Sequence, residues 1–142
     1  MSRKASCSCG ELQIEVSGEP KLVVACSCTN CQKRTGSVFG VSSYFANNQV
    51  VAKNGQFKTF TSTGDSGGKI ERHFCPNCGS TVFWEAGFVP QSIGIAVGCF
   101  SDPKFPQPIA AAWCISKHEW VSFPNGMRTS NNQDFSQGAI QR

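Results

Sequence analysis

Residues 75–79 read Cys75-Pro76-Asn77-Cys78-Gly79, in which two thiols are separated by two residues in a segment that predicts a tight turn. This spacing is typical of one half of a zinc site, because the turn directs both sulfurs at one ion. Gly79 suits the end of such a turn, where a positive φ is needed. A tetrahedral ion takes four ligands, so two further sulfurs must come from elsewhere in the chain.

Two more cysteine clusters precede this pair. Cys7 and Cys9 are separated by one residue, and Cys26, Cys28 and Cys31 follow in a single short segment. A closed structural zinc takes four thiolates, whereas a catalytic zinc takes three protein ligands and keeps one position open. The seven clustered cysteines therefore predict one metal that holds the fold and one that does chemistry.

Spacing alone allows two divisions of these cysteines. If Cys7 and Cys9 join residues 75–78, whole clusters are used and the cluster at residues 26–31 stays whole. If Cys28 and Cys31 join residues 75–78 instead, the remaining three cysteines form a less coherent set. The first division is favoured, and it would staple an N-terminal strand to the middle of a sheet.

Both sites could also be structural, with a histidine as the fourth ligand of the second. His73 is interpreted as a packed residue near the metal and His118 as a solvated side chain. The two remaining cysteines, Cys99 and Cys114, stand in apolar strand contexts and are interpreted as small buried hydrophobes.

The bulk composition predicts one globular domain. The chain has 142 residues, of which 39% are hydrophobic and 11 are Phe. No run of 18 apolar residues predicts a membrane span, and the N-terminus lacks the apolar core of a secretory signal. We therefore expect a cytoplasmic protein whose reduced cysteines bind metal rather than form disulfides.

The formal net charge of +4 overstates how basic the metal-loaded protein would be. Zinc-bound thiols are deprotonated. A four-thiolate zinc site carries −2 and a three-thiolate site −1, which would lower +4 to +1. Charge-driven binding of nucleic acid therefore loses its main support, and we expect no nucleic-acid partner.

Short strands separated by Gly, Asn, Asp and Pro turns predict an antiparallel all-β domain over residues 1–124. The alternation of Leu12, Ile14 and Val16 marks a half-buried strand. Residues 30–35 are the one segment expected to form a helical turn. Residues 125–142 are expected to form a polar, poorly ordered tail. The predicted strands cover residues 11–17, 21–25, 39–45, 57–62, 69–74, 81–85, 92–97 and 109–115.

The ordered clusters with their flanking residues resemble the glutathione-dependent formaldehyde-activating enzyme family, which is grouped with centromere protein V-like proteins. The resembling stretches are residues 7–10, 26–37 and 72–80, and the resemblance spans about residues 5–124. It implies a small zinc-bearing antiparallel β-fold of the β-tent kind. It further implies a structural zinc on Cys7, Cys9, Cys75 and Cys78, and a catalytic zinc on Cys26, Cys28 and Cys31. Ser27 departs from the His that the family often has there.

The family activity implied is the condensation of glutathione with formaldehyde to S-hydroxymethylglutathione, a carbon–sulfur lyase reaction. The site residues are then expected to bind a small thiol. Lys33 and Arg34 would meet the carboxylates of a glutathione-like tripeptide, Arg34 by a bidentate contact. Gly36 and Ser37 lie in a polar turn that would offer backbone N–H groups.

Two other functions compete with this one. A redox enzyme similar to methionine sulfoxide reductases would use Cys99 or Cys114 as nucleophile, but neither has an adjacent Arg or Asn. A non-enzymatic zinc module would bind a protein partner through the same fold.

Overall fold

The computed structural model describes residues 1–64, 67–134 and 139–140. These residues form strands joined by short turns, with one α-helix. The strands are β1 (Ser2–Ser6), β2 (Gln13–Ser17), β3 (Leu22–Cys26), β4 (Gly40–Ala46), β5 (Val50–Asn54), β6 (Lys58–Thr63), β7 (Lys69–Phe74), β8 (Thr81–Ala86), β9 (Ser92–Ala96), β10 (Ala110–Ala112), β11 (Arg128–Thr129) and β12 (Ala139–Ile140). The helix α1 covers Thr29–Thr35, and 3₁₀ turns cover Asn47–Gln49, Val97–Phe100 and Cys114–Ser116. The prediction of a mostly β protein with little helix is confirmed.

One predicted strand ends early. Residues 109–115 form a strand only over Ala110–Ala112 and then turn into a 3₁₀ helix. Trp113 adopts a φ of 56°, in the left-handed region, which an extended strand cannot contain. Cys114 therefore leaves the strand and begins the 3₁₀ turn.

The described chain divides into two compact units. The first unit comprises Met1–Lys21 and Ser43–Phe105. In it β2 pairs antiparallel with both β1 and β5, and β8 pairs antiparallel with both β7 and β9. β2 buries every second residue, as the alternation in its sequence predicts. The largest fully buried side chains of this unit are Phe45, Phe83, Leu12, Ile14, Ile93, Ile95, Val16 and Val82.

The second unit comprises Leu22–Ser42 and Pro106–Arg142. In it β10 pairs in parallel with β3 and with β11, and β12 pairs antiparallel with β11. The register places Ala112 opposite Cys26, which is the last residue of β3 and the first cysteine of the cluster at residues 26–31. The pairing of β3 with β10 therefore fixes the position of this cysteine. A small apolar core packs beneath these strands, formed by Ala25, Ala111, Val121, Phe123 and Met127.

The expected polar tail contains ordered structure in its described part. Met127 is buried in the second unit's core, and Arg128–Thr129 forms β11. The Ser130 N–H also donates to the Ala111 carbonyl. Residues 135–138 and 141–142 of that predicted tail lie outside the described residues. Within the described residues, no helix is long and apolar enough to cross a membrane.

Gly55→Ala should destabilise the first unit strongly. Gly55 has a φ of +92°, and an added Cβ would lie 1.9 Å from the Glu11 carbonyl oxygen, which belongs to the backbone and cannot rotate away. We expect the free energy of unfolding to fall by about 3 kcal/mol. Gly98→Ala is the matched control, because a methyl group added there would meet no atom within 4 Å beyond its chain neighbours. Urea denaturation measures both, and equal stabilities would contradict this account.

Candidate metal and active site

The first cysteine site is built from two tight turns of the first unit. One turn follows β1 and carries Cys7 and Cys9, and the other follows β7 and carries Cys75 and Cys78. Each turn closes on a glycine with positive φ, Gly10 at 82° and Gly79 at 81°. The two pairs are at least 66 positions apart in the sequence, and their turns follow strands of different sheets. The folding of the first unit brings the turns together as the four-cysteine site.

The sulfur positions of the four-cysteine site fit a tetrahedral zinc. All four Sγ atoms lie within 4.8 Å of one another. Cys9 Sγ lies 3.6 Å from Cys7 Sγ and 3.7 Å from Cys75 Sγ. Zinc–sulfur bonds of about 2.3 Å in a tetrahedron place sulfurs about 3.8 Å apart. Cys7 and Cys75 are buried while Cys9 and Cys78 are exposed, so the site reaches from the core to the surface.

Donors around the four-cysteine site favour thiolates. The Ser80 hydroxyl lies 3.4 Å from Cys78 Sγ, and the Leu12 N–H donates to Cys7 Sγ at 3.2 Å. The Ser80 hydroxyl, together with the N–H groups of Ser80 and Cys9, lowers the pKa of Cys78 to about 5. The lowered pKa favours the thiolate of Cys78, which is the form that binds a metal.

The second cysteine site occupies one loop and one helix end of the second unit. Cys26 is the last residue of β3, Cys28 caps the N-terminus of α1, and Cys31 lies in its first turn. The Cys31 N–H donates to Cys28 Sγ at 3.3 Å. The three Sγ atoms lie within 4.8 Å of one another, and no fourth His, Cys, Asp or Glu of the described residues joins them. This three-cysteine site therefore has the ligand set of a zinc with an open position.

Charge crowding at the three-cysteine site calls for a cation. The side chains of Cys28 and Cys31, followed by burial, raise the pKa of Cys26 strongly. Three thiolates this close repel one another, and a divalent ion removes that penalty and deprotonates its ligands. The donor set fits zinc, which accepts thiolates readily.

Polar groups of the second unit brace the three-cysteine loop. The Ser27 carbonyl, between the first two cysteines, accepts hydrogen bonds from Gln32 Nε2 at 2.8 Å and from Ser116 Oγ at 2.8 Å. Gln32 Nε2 also donates to the Ser116 carbonyl at 3.0 Å, and Gln32 Oε1 lies 3.2 Å from His118 Nε2. Sequence reasoning missed Gln32 and Ser116 and interpreted His118 as merely solvated. No local pattern reveals this bracing, since residues 27 and 116 meet only through the pairing of β3 with β10.

The residues expected to bind substrate follow the third cysteine along α1. Lys33 is exposed. Arg34 is half-buried, and its Nη2 atom lies so close to Gly40 that a Cβ there would approach it to 2.5 Å. The N–H groups of Gly36 and Ser37 are engaged by the Gln32 carbonyl and by Thr35 Oγ1, respectively. What this turn presents to a ligand is therefore the exposed Ser37 side chain.

His73 and the two remaining cysteines are packed among the apolar side chains of the units to which they belong. His73 is buried between the rings of Phe57 and Phe83, and its ring bonds Thr59 and Glu85. It is a packed residue, as interpreted from the sequence, and it lies outside both cysteine groups. Phe83 and Trp84 are both buried, and Cys99 packs against the cluster around Trp84. In the second unit Cys114 packs against the cluster around Phe123.

These features define a small, mostly β protein with two cysteine groups able to hold metal. A family model for the glutathione-dependent formaldehyde-activating enzyme matches residues 2–116. The chain belongs to that family.

A solved structure with a similar fold is that of a Rhodobacter sphaeroides protein determined as a structural genomics target. It has a TM-score of 0.53 and 19% sequence identity, and the match covers 71% of this chain and 92% of that one. At this identity the likeness concerns the fold alone. A comparison with curated proteins found no match.

Acid should release zinc from the two sites in two steps. Protons compete with zinc for thiolates, so a site whose thiols have raised pKa values loses its ion at higher pH. At the three-cysteine site the pKa values of both Cys26 and Cys28 are raised. At the four-cysteine site the pKa of Cys75 is raised to about 11, but the pKa values of Cys7 and Cys78 are lowered. We therefore expect the three-cysteine site to empty first as pH falls. A chelator dye would follow two released zinc ions per chain. Cys28→Ser should abolish the zinc release that occurs at the higher pH. If the release at the lower pH is lost instead, the predicted order of the two sites is wrong.

Replacing one ligand at each site should separate folding from chemistry. Structural zinc contributes on the order of 10 kcal/mol in some small domains. Cys75→Ser should therefore lower the melting temperature sharply, because Cys75 is fully buried in the four-cysteine site. Cys31→Ser should leave the strands intact, because its site lies in one local loop. Circular dichroism melts of both variants measure this, and unfolding by Cys31→Ser alone would contradict the assignment.

Proposed function

We propose that this protein is a zinc-dependent enzyme that joins a thiol, glutathione or a similar acidic thiol, to an aldehyde such as formaldehyde. The product with these substrates is S-hydroxymethylglutathione, and the enzyme class is that of carbon–sulfur lyases. The observation that carries the proposal is the three-cysteine site, one ligand short of a tetrahedron, inside the segment matched by the family model. The four-cysteine site then serves as the structural zinc site.

The addition requires a thiolate, because a neutral thiol attacks a carbonyl carbon poorly. A free thiol has a pKa of about 8.5 and is therefore mostly neutral at pH 7. Zinc held by the three cysteines would supply the positive charge that favours the thiolate form of a thiol substrate. The sulfur then forms a bond to the aldehyde carbon, and the π pair of the carbonyl moves to oxygen. That oxygen takes up the proton that the thiol gave, so no oxidant or reductant is consumed.

The charges along α1 support an acidic thiol as substrate. Lys33 and Arg34 follow Cys31 closely, and α1 carries no acidic residue in its first turn. A guanidinium binds a carboxylate through two parallel hydrogen bonds. Gly40 leaves the room in which the Arg34 guanidinium lies, since a Cβ at position 40 would come within 2.5 Å of Arg34 Nη2. Ser37 adds an exposed hydroxyl just beyond the end of α1.

The competing functions receive less support. A redox enzyme needs an accessible, reactive thiol, but burial raises the pKa of Cys114, and Cys99 packs against apolar side chains. A module that only binds a protein partner has no need of an open metal position. Seven reduced cysteines in metal sites also support a reducing, cytoplasmic compartment.

Arg34→Ala should weaken glutathione binding by roughly 1.5–3 kcal/mol, the range for a hydrogen bond to a charged group. Gly40→Ala should also weaken it, because the new methyl would displace the guanidinium without removing its charge. Titration calorimetry on the zinc-loaded protein measures both. Lys4→Ala, an exposed charge removed from the first unit, is the control for net charge alone.

The function itself is tested with the S-methyl derivative of glutathione and with ¹³C-formaldehyde. We expect the derivative to bind much more weakly, and the hemithioacetal carbon signal to form faster with wild-type protein than with Cys31→Ser. Equal affinities for glutathione and its S-methyl derivative would mean that the sulfur does not enter the site. The proposal would then be abandoned.

A further inference from the structure

His118 is held against the three-cysteine loop by a continuous set of hydrogen bonds. Ser116 Oγ and Gln32 Nε2 both bond the carbonyl of Ser27, so residues 116–118 are fastened to the loop between Cys26 and Cys28. The Lys117 ammonium donates to the Val121 carbonyl at 2.6 Å, which fixes the segment from its other side. The imidazole of His118 therefore has a defined place in the second unit although it is exposed.

The orientation of the Gln32 amide determines the tautomer of the neutral His118 ring. Gln32 directs one atom at the carbonyl oxygens of Ser27 and Ser116, which only accept hydrogen bonds, so that atom must be the NH₂ nitrogen. Its oxygen then faces His118 Nε2 at 3.2 Å, and a carbonyl oxygen requires a donor. Nε2 consequently carries a hydrogen. The ring nitrogen left to accept a proton is Nδ1, which forms no hydrogen bond within the described residues.

Gln32 also stands close to the metal ligands along α1. It lies four residues after Cys28, and residues at this spacing leave a helix on the same side. The Trp120 ring meets the His118 ring edge to face at a centroid distance of 6.2 Å, and the Trp120 side chain is exposed. A base whose ring is oriented by a third group is the arrangement that activates a nucleophile.

We propose that His118 carries the proton of the thiol in the reaction proposed above, and that Gln32 is the residue that positions it. Nδ1 of His118 accepts the proton of the thiol, and the ring becomes an imidazolium stabilised by Gln32 Oε1. The sulfur bonds to the aldehyde carbon, the carbonyl π pair moves to oxygen, and Nδ1 returns the proton to that oxygen. The imidazole ends neutral, and one thiol and one aldehyde become one hemithioacetal. This inference rests on the proposed function and adds the proton path to it.

The hydrogen-bond arrangement is tested without any turnover. Long-range ¹H–¹⁵N correlation spectra distinguish the two neutral tautomers of a histidine. The chain has two histidines, so the spectrum of His118→Gln assigns the remaining signals to His73. We expect His118 in the Nε2–H form in wild-type protein, and a shift towards a tautomer mixture in Gln32→Leu. A predominant Nδ1–H form in the wild type would overturn the proposal.

The proton path is tested with a variant that keeps the hydrogen bond from residue 118 to Gln32 but cannot accept and return a proton. A glutamine at position 118 keeps an N–H donor for Gln32 Oε1 but cannot cycle a proton. His118→Gln should therefore lower kcat roughly 100-fold or more while changing KM for the thiol little. His118→Ala should lose the same activity and regain part of it with added imidazole. Glu119→Gln, an exposed neighbour, is the matched control.

The outcomes separate this inference from the function on which it rests. Wild-type protein that forms no hemithioacetal overturns both. Normal kcat in His118→Gln, in a wild-type background that forms the product, overturns the role of His118 alone. Loss of activity in His118→Ala without any rescue by imidazole also counts against proton transfer, because a purely structural loss is not repaired by a free base.

Discussion

Thiolates repel one another, and two groups of sulfurs in this protein lie close enough together for each group to hold a metal ion. Three or four Sγ atoms lie within 4.8 Å in each group. Without an ion, the neighbouring thiols raise the pKa of Cys26. Cys26 then stays protonated, and the proximity of the sulfurs adds little to stability. A bound ion would deprotonate the thiols and attract all of the resulting thiolates. The turns, the helix cap and the bracing hydrogen bonds all serve to keep these sulfurs at one point.

The two cysteine sites differ in how far apart in the sequence their members stand, and the roles we propose for them rest on this difference. The four-cysteine site joins turns that follow β1 and β7, so a bound ion closes a long loop and stabilises the first unit against unfolding. The three-cysteine site draws all its ligands from residues 26–31. An ion there would close only a very short loop and would therefore add little to stability. The helix α1, which carries Cys31, has basic residues in its last turn. The roles we propose, a structural zinc at the first site and a catalytic zinc at the second, follow from this difference.

Cysteine spacing and strand alternation were sufficient to predict the fold class and both cysteine groups. Tight spacing is a local signal, so the division into four and three could be inferred before any contact was known. β1 was missed because Ser2–Ser6 is polar and does not alternate, and it becomes a strand only by pairing with β2. The roles of Gln32 and His118 escaped detection for a similar reason. Gln32 bonds residues that lie 84 and 86 positions further along the chain, and no spacing rule reaches that far.

Cys28 has two roles that meet in one atom. Its sulfur caps α1 by accepting the Cys31 N–H, in the place that an oxygen of Ser, Thr or Asp usually fills, and it is also a member of the three-cysteine group. A thiol is a weak acceptor and a thiolate a much stronger one. Loading of the site thus changes the strength of a backbone hydrogen bond. The amide proton of Cys31 should exchange with solvent more slowly in the loaded protein, so that a single backbone position records whether the site holds its ion.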